Sequence, residues 1–423
     1  PVPNPDDGTV DINYSLEEKS SDQLELSAGW GGIIGRTGTL GITFNNFSTK
    51  KLFKPRQWDG IPSGDGQRLS LRVQSNGPSF STQNFSFTEP WLGGKKRNNL
   101  TVSIFRTRLS NAFDPLTGLP LRSRSNDNSY LRTMGATLSY GKQLKWPDDY
   151  FTLITSIGYT QYKLKEYQLF PELRNGTSNN LNIRFQLLRS SVDNPTFPRS
   201  GSNFSLTATF TPPWSMFRDV TKYTDPAEKF RLVEYHKWRL NYEWFVPIGK
   251  PMGAEKNRQF VLRAAAKFGF LGRYNTDLPL SPFERFQVGD AGLQNNFGII
   301  GFDIIAHRGY PVYENSNPRV NNTGQTSATQ FFTIFNKYSL EMRYPLSTNP
   351  SSTIFGLAFF EAANGWYEFK DYNPFKLRRS TGLGMRFFLP MFGLLGFDYG
   401  IGLDRYFPGA RLRDVTRFTF MLG

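Results

Sequence analysis

The chain has 423 residues, a formal net charge of +15, no cysteine and 16% aromatic residues, 39 of them Phe, 19 Tyr and 8 Trp. Hydrophobic residues make up only 38%, and no run approaches the ~20 apolar residues of a membrane helix. Without cysteine there is neither a disulfide framework nor a thiolate metal site. The aromatic load is heavy for a soluble domain of this composition. A transmembrane β-barrel reconciles these facts, because only alternate residues face lipid and aromatic girdles mark both interfaces.

Period-two alternation recurs from one end of the chain to the other, which is the pattern of half-buried strands. Leu24, Leu26, Ala28 and Trp30 stand against Gln23, Glu25, Ser27 and Gly29. Leu69, Leu71 and Val73 oppose Arg68, Ser70, Arg72 and Gln74. Phe204, Leu206, Ala208 and Phe210 oppose Ser205, Thr207 and Thr209, and Phe418, Phe420 and Leu422 oppose Arg417, Thr419 and Met421. A soluble sandwich would share the alternation but not the lipid-compatible aromatics on one face. Runs of this kind predict about sixteen strands, an even number as in single-chain bacterial barrels. They fall at 23–31, 36–46, 68–76, 79–88, 98–108, 130–143, 150–163, 179–190, 202–211, 232–246, 258–271, 329–344, 353–366, 379–389, 393–403 and 413–423. The predicted fold is therefore all-β, a 16-stranded antiparallel transmembrane β-barrel.

With residue 1 on the periplasmic side, odd-numbered connections are extracellular and even-numbered ones periplasmic. Several even connections carry proline or glycine, such as Pro90-Trp91-Leu92-Gly93-Gly94 and Pro195-Thr196-Phe197-Pro198. The one before residue 68 is unusually long for a periplasmic turn. The eleventh connection, about 273–327, is the longest and nearly free of strand pattern. Barrels usually place such loops outside the cell.

That insertion contains Arg308-Gly309-Tyr310. Taken alone, the tripeptide reads as a surface turn. Folded into a lumen, the guanidinium needs a carboxylate, since an unmatched charge of a desolvated pair costs about 3–5 kcal/mol. Glu341 is suitably placed, on the polar face formed with Lys337, Ser339 and Arg343 opposite Tyr338, Leu340, Met342 and Tyr344. Glu361 alternates with Phe355, Leu357 and Phe359, a face that reads as lipid-facing, so it reaches the lumen only through a bulge. Asp398 is a third candidate, sharing its face with Gly396 and Gly400 opposite Phe397, Tyr399 and Ile401. Gly382 and Gly384 likewise oppose Leu383 and Met385, and inward glycines leave room for an inserted loop.

The positive charges are spread through strands and turns rather than gathered on one patch, which argues against nucleic acid. Lumenal positions such as Arg68, Arg72, Arg343 and Arg386 absorb many of them. Others at the rims face lipopolysaccharide or phospholipid phosphates, and Lys95-Lys96-Arg97 reads as a solvated turn. The 2 histidines, His236 and His307, are too few and too distant for a metal site. There is no Gly-x-Ser-x-Gly elbow, Walker loop or dinucleotide fingerprint. No enzymatic chemistry, metal or cofactor is expected.

Several fragments, in order, resemble a known family. They are Phe87-Thr88-Glu89-Pro90-Trp91-Leu92-Gly93-Gly94, Ser191-Val192-Asp193-Asn194-Pro195-Thr196-Phe197-Pro198-Arg199-Ser200-Gly201, Arg308-Gly309-Tyr310, Leu340-Glu341-Met342-Arg343-Tyr344-Pro345, Phe359-Phe360-Glu361-Ala362-Ala363-Asn364-Gly365-Trp366 and Ser380-Thr381-Gly382-Leu383-Gly384. From about residue 21 to 423 the chain resembles the C-terminal barrels of the BamA/TamA and two-partner-secretion superfamily, in a form close to those of Bacteroidetes. Members carry periplasmic POTRA repeats before the barrel. Residues 8–19 resemble the last strand of such a repeat, so 1–20 is read as its end and 21–423 as the barrel. No signal peptide stands at Pro1, consistent with a mature chain or an excised C-terminal part. The sequence departs from the family at Glu361, where an aspartate is usual. It departs again at its end, where the family strand finishes on an aromatic beyond Phe418-Thr419-Phe420.

The resemblance implies an integral outer-membrane insertase, the central subunit of a β-barrel assembly machinery. Its seam would lie between the first strand (Leu24, Leu26, Ala28, Trp30) and the last (Phe418, Phe420, Leu422), weakly paired and able to open sideways. The implied partners are client outer-membrane β-barrel proteins, accessory periplasmic lipoproteins and surface-exposed subunits, together with outer-membrane lipid and lipopolysaccharide. A two-partner secretion pore of the same superfamily is the alternative. A passive porin would give no reason for the Arg-Gly-Tyr loop.

Overall fold

The computed structural model describes residues 2–4, 9–11, 22–31, 35–58, 60–76, 80–94, 98–110, 129–167, 170, 172–219, 222–253, 258–289, 302–311, 331–349, 352–389, 393–406 and 410–422. Strands β1 (Val2–Asn4) and β2 (Thr9–Asp11) make a separate antiparallel pair. The main sheet begins with β3 (Gln23–Gly31), β4 (Gly35–Phe47), β5 (Gln67–Ser75), β6 (Phe80–Glu89), β7 (Asn98–Ser110) and β8 (Tyr130–Gln143). It continues with β9 (Phe151–Lys165), β10 (Gly176–Ser190), β11 (Gly201–Phe210), β12 (His236–Met252) and β13 (Arg258–Gly272). Within the long connection that follows, β14 (Arg285–Val288) and β15 (Phe302–Ile305) pair in parallel as a sheet of their own. The barrel wall resumes with β16 (Ile334–Asn349), β17 (Ser352–Trp366), β18 (Arg378–Leu389), β19 (Gly393–Gly402) and β20 (Thr416–Leu422). The result is one 16-stranded sheet in which chain neighbours are sheet neighbours and β13 pairs directly with β16. No helix is long and apolar enough to cross a membrane.

Two strands run further than the alternation predicts. The tenth barrel strand, expected at 232–246, is His236–Met252, and the twelfth, expected at 329–344, is Ile334–Asn349. Each continues past a proline that reads as a terminator in sequence. Pro247 pairs with Val261 and Pro345 with Phe355, and the ladder shifts register just beyond each, between Ile248 and Met252 and between Pro345 and Ser347. A bulge absorbs the missing proline donor, so the strand survives.

Members of the predicted outward rows are exposed on several strands, Leu24 and Leu26 on β3, Leu71 and Val73 on β5, Leu340 on β16 and Leu383 on β18, whereas on β11 Phe204, Leu206 and Phe210 are half-buried and Ala208 is buried. Strand β17 overturns one expectation. Phe355, Leu357 and Phe359 are buried on the same face as Glu361, while Phe360 is exposed. The β17–β18 ladder runs unbroken from Thr353 to Ala363, so no bulge is involved. This apolar row looks into the barrel because the interior there is filled. Phe197, from the connection 191–200, packs on Phe355 with ring centroids 5.0 Å apart, and Val192, Phe245 and Val261 complete the cluster. Apolar side chains face inward where something apolar covers them.

A second interior core gathers at the end of the barrel that carries the long connection. There Phe283, Phe286 and Phe302 of the insertion meet Leu109, Leu131 and Tyr162 of the wall. Phe283 stacks on Tyr162 at 4.1 Å, and Phe286 meets Phe335 edge-on at 4.7 Å. The described part of the insertion is therefore folded into the barrel and held by buried aromatic contact.

Candidate functional site

The insertion is positioned by its small parallel sheet. Glu284, just before β14, and Asp303, in β15, converge on Lys237 of β12, at 2.9 and 2.8 Å. Asp303 also pairs with Arg239 at 3.0 Å. Burial would push the Asp303 carboxyl up, but Lys237 and Arg239 outweigh it and hold the group below its ordinary range. With β15 held there, the chain leaving Ile305 delivers Ala306 to Tyr310 against the neighbouring stretch of wall, β16 to β19, which begins one strand beyond β13.

Each residue of Arg308-Gly309-Tyr310 engages different strands. The Arg308 guanidinium donates to Glu361 through Nε at 3.1 Å and Nη2 at 2.7 Å, and to Glu341 through Nη2 at 2.6 Å. Its backbone N–H donates to the other Glu361 oxygen at 3.0 Å, and Nη1 lies 3.5 Å from Asp398. Burial would weaken the guanidinium's hold on its proton, but Glu361, Glu341 and Asp398 more than reverse that and raise its pKa above arginine's ordinary value. Gly309 has φ +84°, and a Cβ there would meet the backbone of Ile401 and Gly402 at 3.0 Å. Only glycine fits. The Tyr310 hydroxyl donates to the Arg379 carbonyl at 3.0 Å and accepts the Asp404 N–H at 3.1 Å.

All three candidate carboxylates thus surround one guanidinium. Glu361 and Asp398 are 2% and 1% exposed, so these charges are desolvated and depend on their partners. The inward glycines divide their work. Gly400 leaves the space occupied by Gly309, whose nitrogen is 2.7 Å from where a Cβ would stand, while Gly382 admits the Phe359 ring and Gly384 the Asp398 carboxylate.

Of the cations around these acids, the sequence places Lys337, Arg343 and Arg386 on inward rows without assigning their partners, and it does not single out Arg263. Lys337 donates to Glu361 at 2.8 Å and also to the Ala306 carbonyl. Arg263 of β13 pairs with Glu341 at 3.2 Å and with Glu243. Arg343 meets Glu341 at 2.6 Å, and Arg386 meets Asp398 at 2.8 Å. The signal was present for Arg263, which occupies the inward row of β13 opposite Phe260 and Leu262. Its partners could not be read, because they lie on other strands. His307 was set aside as a metal ligand; it is buried and stacks on Tyr310 at 4.5 Å.

The seam residues occupy the two ends of the sheet. Among the described residues no ladder joins β3 to β20. Leu24, Leu26 and Phe418 are exposed, while Phe420 packs on Phe397 at 5.0 Å. Ala28 and Trp30 pair through their backbones with Gly38 and Arg36, and Leu422 with Leu395. The side chains of Ala28, Trp30 and Leu422 lie outside the described residues.

This architecture is similar to solved outer-membrane barrels. BamA from Haemophilus ducreyi lacking POTRA domains 1–3 gives a TM-score of 0.60 at 17% identity, over 96% of this chain and 70% of that one. CdiB from Escherichia coli gives 0.49 at 11% identity, over 96% of this chain and 63% of that one. No curated protein matches the chain. The profile of the Omp85 superfamily domain matches residues 63–423, which takes in the anchored loop and its carboxylates. The chain belongs to the Omp85 superfamily.

Proposed function

We propose that this integral outer-membrane barrel folds and inserts other β-barrel proteins into the outer membrane through the edge between β3 and β20. Its superfamily is one of outer-membrane insertases and translocators, and insertion is the finer reading taken here. The observation that carries it is the pair of sheet ends: neighbouring strands are laddered throughout, yet none of the described residues ladders β3 to β20. A strand edge with unpaired N–H and C=O groups is a template for another strand. A client's terminal strand adds there, and successive client strands follow without nucleotide or covalent chemistry.

The anchored loop supports this reading. Through Arg308 and Tyr310 it ties together β16, β17 and β18, and through Gly309 it lies on β19, the strand next to the opening edge. That wall is held as a unit, with β20 laddered to β19, so that the outer edge of β20 is presented to a client strand. Client barrels, accessory subunits in the periplasm and at the surface, and outer-membrane lipid are the partners this role requires. Depletion in cells tests it. Broad loss of outer-membrane barrels is expected, whereas loss of a single exported protein with the other barrels intact would overturn the proposal in favour of a secretion pore.

A further inference from the structure

On β7, β8 and β9 the buried inner row is Thr107 and Leu109, Leu131 and Thr133, Tyr162 and Leu164. Alternation therefore turns Arg106 and Arg108, Tyr130 and Arg132, and Lys163 and Lys165 outward. The ladders align them: Arg108 lies opposite Arg132, which lies opposite Lys163, and Tyr130 lies opposite Lys165. Further along the same outer face, Ile104, Met134, Leu138, Ile157 and Tyr159 are exposed as a lipid-facing belt. The cations thus end the apolar belt at headgroup level, on the end of the barrel that carries the 273–333 connection.

Like charges directly opposite each other destabilise a ladder, so this cluster lacks a reason within the sheet. Among the described residues no carboxylate pairs with Arg106, Arg132, Lys163 or Lys165. The guanidinium carbons of Arg108 and Arg132 both lie over the Tyr130 ring, at 5.7 and 5.4 Å from its centroid, which steadies two forks side by side. The Arg132 Nε is buried without a hydrogen-bond acceptor. Next to Lys163 on the same face, Gln161 donates to Asn179 at 3.2 Å, forming a polar margin suited to sugar hydroxyls. Guanidinium forks match phosphate oxygens, and long connections mark the outer end of such barrels.

We propose that this face binds the phosphate groups of a phosphorylated glycolipid in the outer leaflet. The site requires only the outer-membrane location, and it stands whether the barrel inserts clients or exports a substrate.

The test uses the purified chain in detergent, titrated with bisphosphorylated lipid A, with dephosphorylated lipid A and with phosphatidylglycerol, bound lipid being counted by native mass spectrometry. The phosphorylated glycolipid should bind at least about tenfold more tightly than the other two, with a preference that weakens in salt. Replacing Arg106, Arg132, Lys163 and Lys165 by Gln together should abolish that preference, at roughly fivefold per charge. The same change at Lys54, Arg56, Lys142 and Lys145, exposed at the other end, should leave it intact. Lys163→Glu alone, a change of two charges, should weaken binding of the phosphorylated glycolipid roughly 25-fold and serves if the fourfold variant does not fold. Equal binding of the two lipid A forms, or an equal loss in the control variant, would overturn the proposal. So would phosphatidylglycerol binding as tightly as phosphorylated lipid A, since the face would then recognise phospholipid.

Discussion

The guanidinium carbon of Arg308 lies 3.7 Å from the centroid of the Phe359 ring, on the strand whose Glu361 accepts its Nε and Nη2 protons. The ring covers one face of the cation while carboxylates take its edges. This explains why an apolar row and a buried acid share the inner face of β17. The ring excludes water, and exclusion of water strengthens the ion pairs.

Arg308→Ala should leave the barrel able to fold but unseat the loop, at about 3–5 kcal/mol for stranding a buried charge partner. Arg308→Lys should fail in part, because an ammonium cannot span Glu341, Glu361 and Asp398 or lie flat on the ring. Protease accessibility of residues 306–311 in intact cells is the measurement. Cleavage unchanged in the alanine variant would sink the anchor.

The loop has a second hold at Lys237, so neither attachment alone should release it completely. Lys237→Met should raise hydrogen exchange in Arg285–Val288 and Phe302–Ile305 while leaving residues 307–310 protected. Combined with Arg308→Ala, it should expose the whole segment. If Lys237→Met alone releases residues 307–310, the two attachments are not independent.

His307 makes seating pH-dependent. Burial is the main cause that pushes its pKa down to about 3; Glu361 pulls it up, and Lys337, Arg378 and Arg308 push it down further. Asp404 also feels its charge. A released His307 would titrate near 6.5, so the released loop binds the extra proton between pH ~6.5 and ~3. Its contribution to seating is complete above pH ~6.5 and declines as pH falls, by about 2 kcal/mol at pH 5. His307→Phe should flatten this contribution. Hydrogen exchange of residues 302–311 at pH 7.5 and pH 5 would decide it, and identical pH profiles in the two proteins would refute it.

The register of β11 can be tested at adjacent positions. Leu206, paired with Leu187 and Leu240 on the outer face, should cost about 2–4 kcal/mol when changed to arginine near the midplane. Ser205→Arg, on the inner face opposite Asn241, should be tolerated. Urea titration of the refolded barrel reads both. Equal losses would mean the faces are exchanged.

The chain has no cysteine, so one thiol in 24–30 and one in 416–422 would be the only pair. A bridge requires Cα atoms about 4.4–6.8 Å apart, and a small grid of pairs reports register as well as proximity. Oxidation of a bridging pair should stop client insertion and a reductant should restore it. Normal assembly with a complete bridge would mean that clients enter elsewhere.

Alternation determined the strands and the lipid-facing rows, such as Leu71 with Val73, because period two is a local consequence of the pleat. The length of the eleventh connection and its charged tripeptide singled out Arg308, and alternation placed Glu341 and Asp398, though not Glu361, on inward rows. What alternation could not determine was which face of β17 is inside. Phe355 and Glu361 share a row, and only the packing of Phe197 and Arg308 against that row turns it inward. The prolines of β12 and β16 read as stops because the compensating bulges depend on neighbouring strands. The convergence of Arg263, Lys337 and Arg343 on the loop's acids, and the parallel pairing of β14 with β15, likewise come from tertiary structure. They join residues far apart in the chain, and the reason is common to all: periodicity is set by the backbone, whereas inside and outside are set by what the other strands bring.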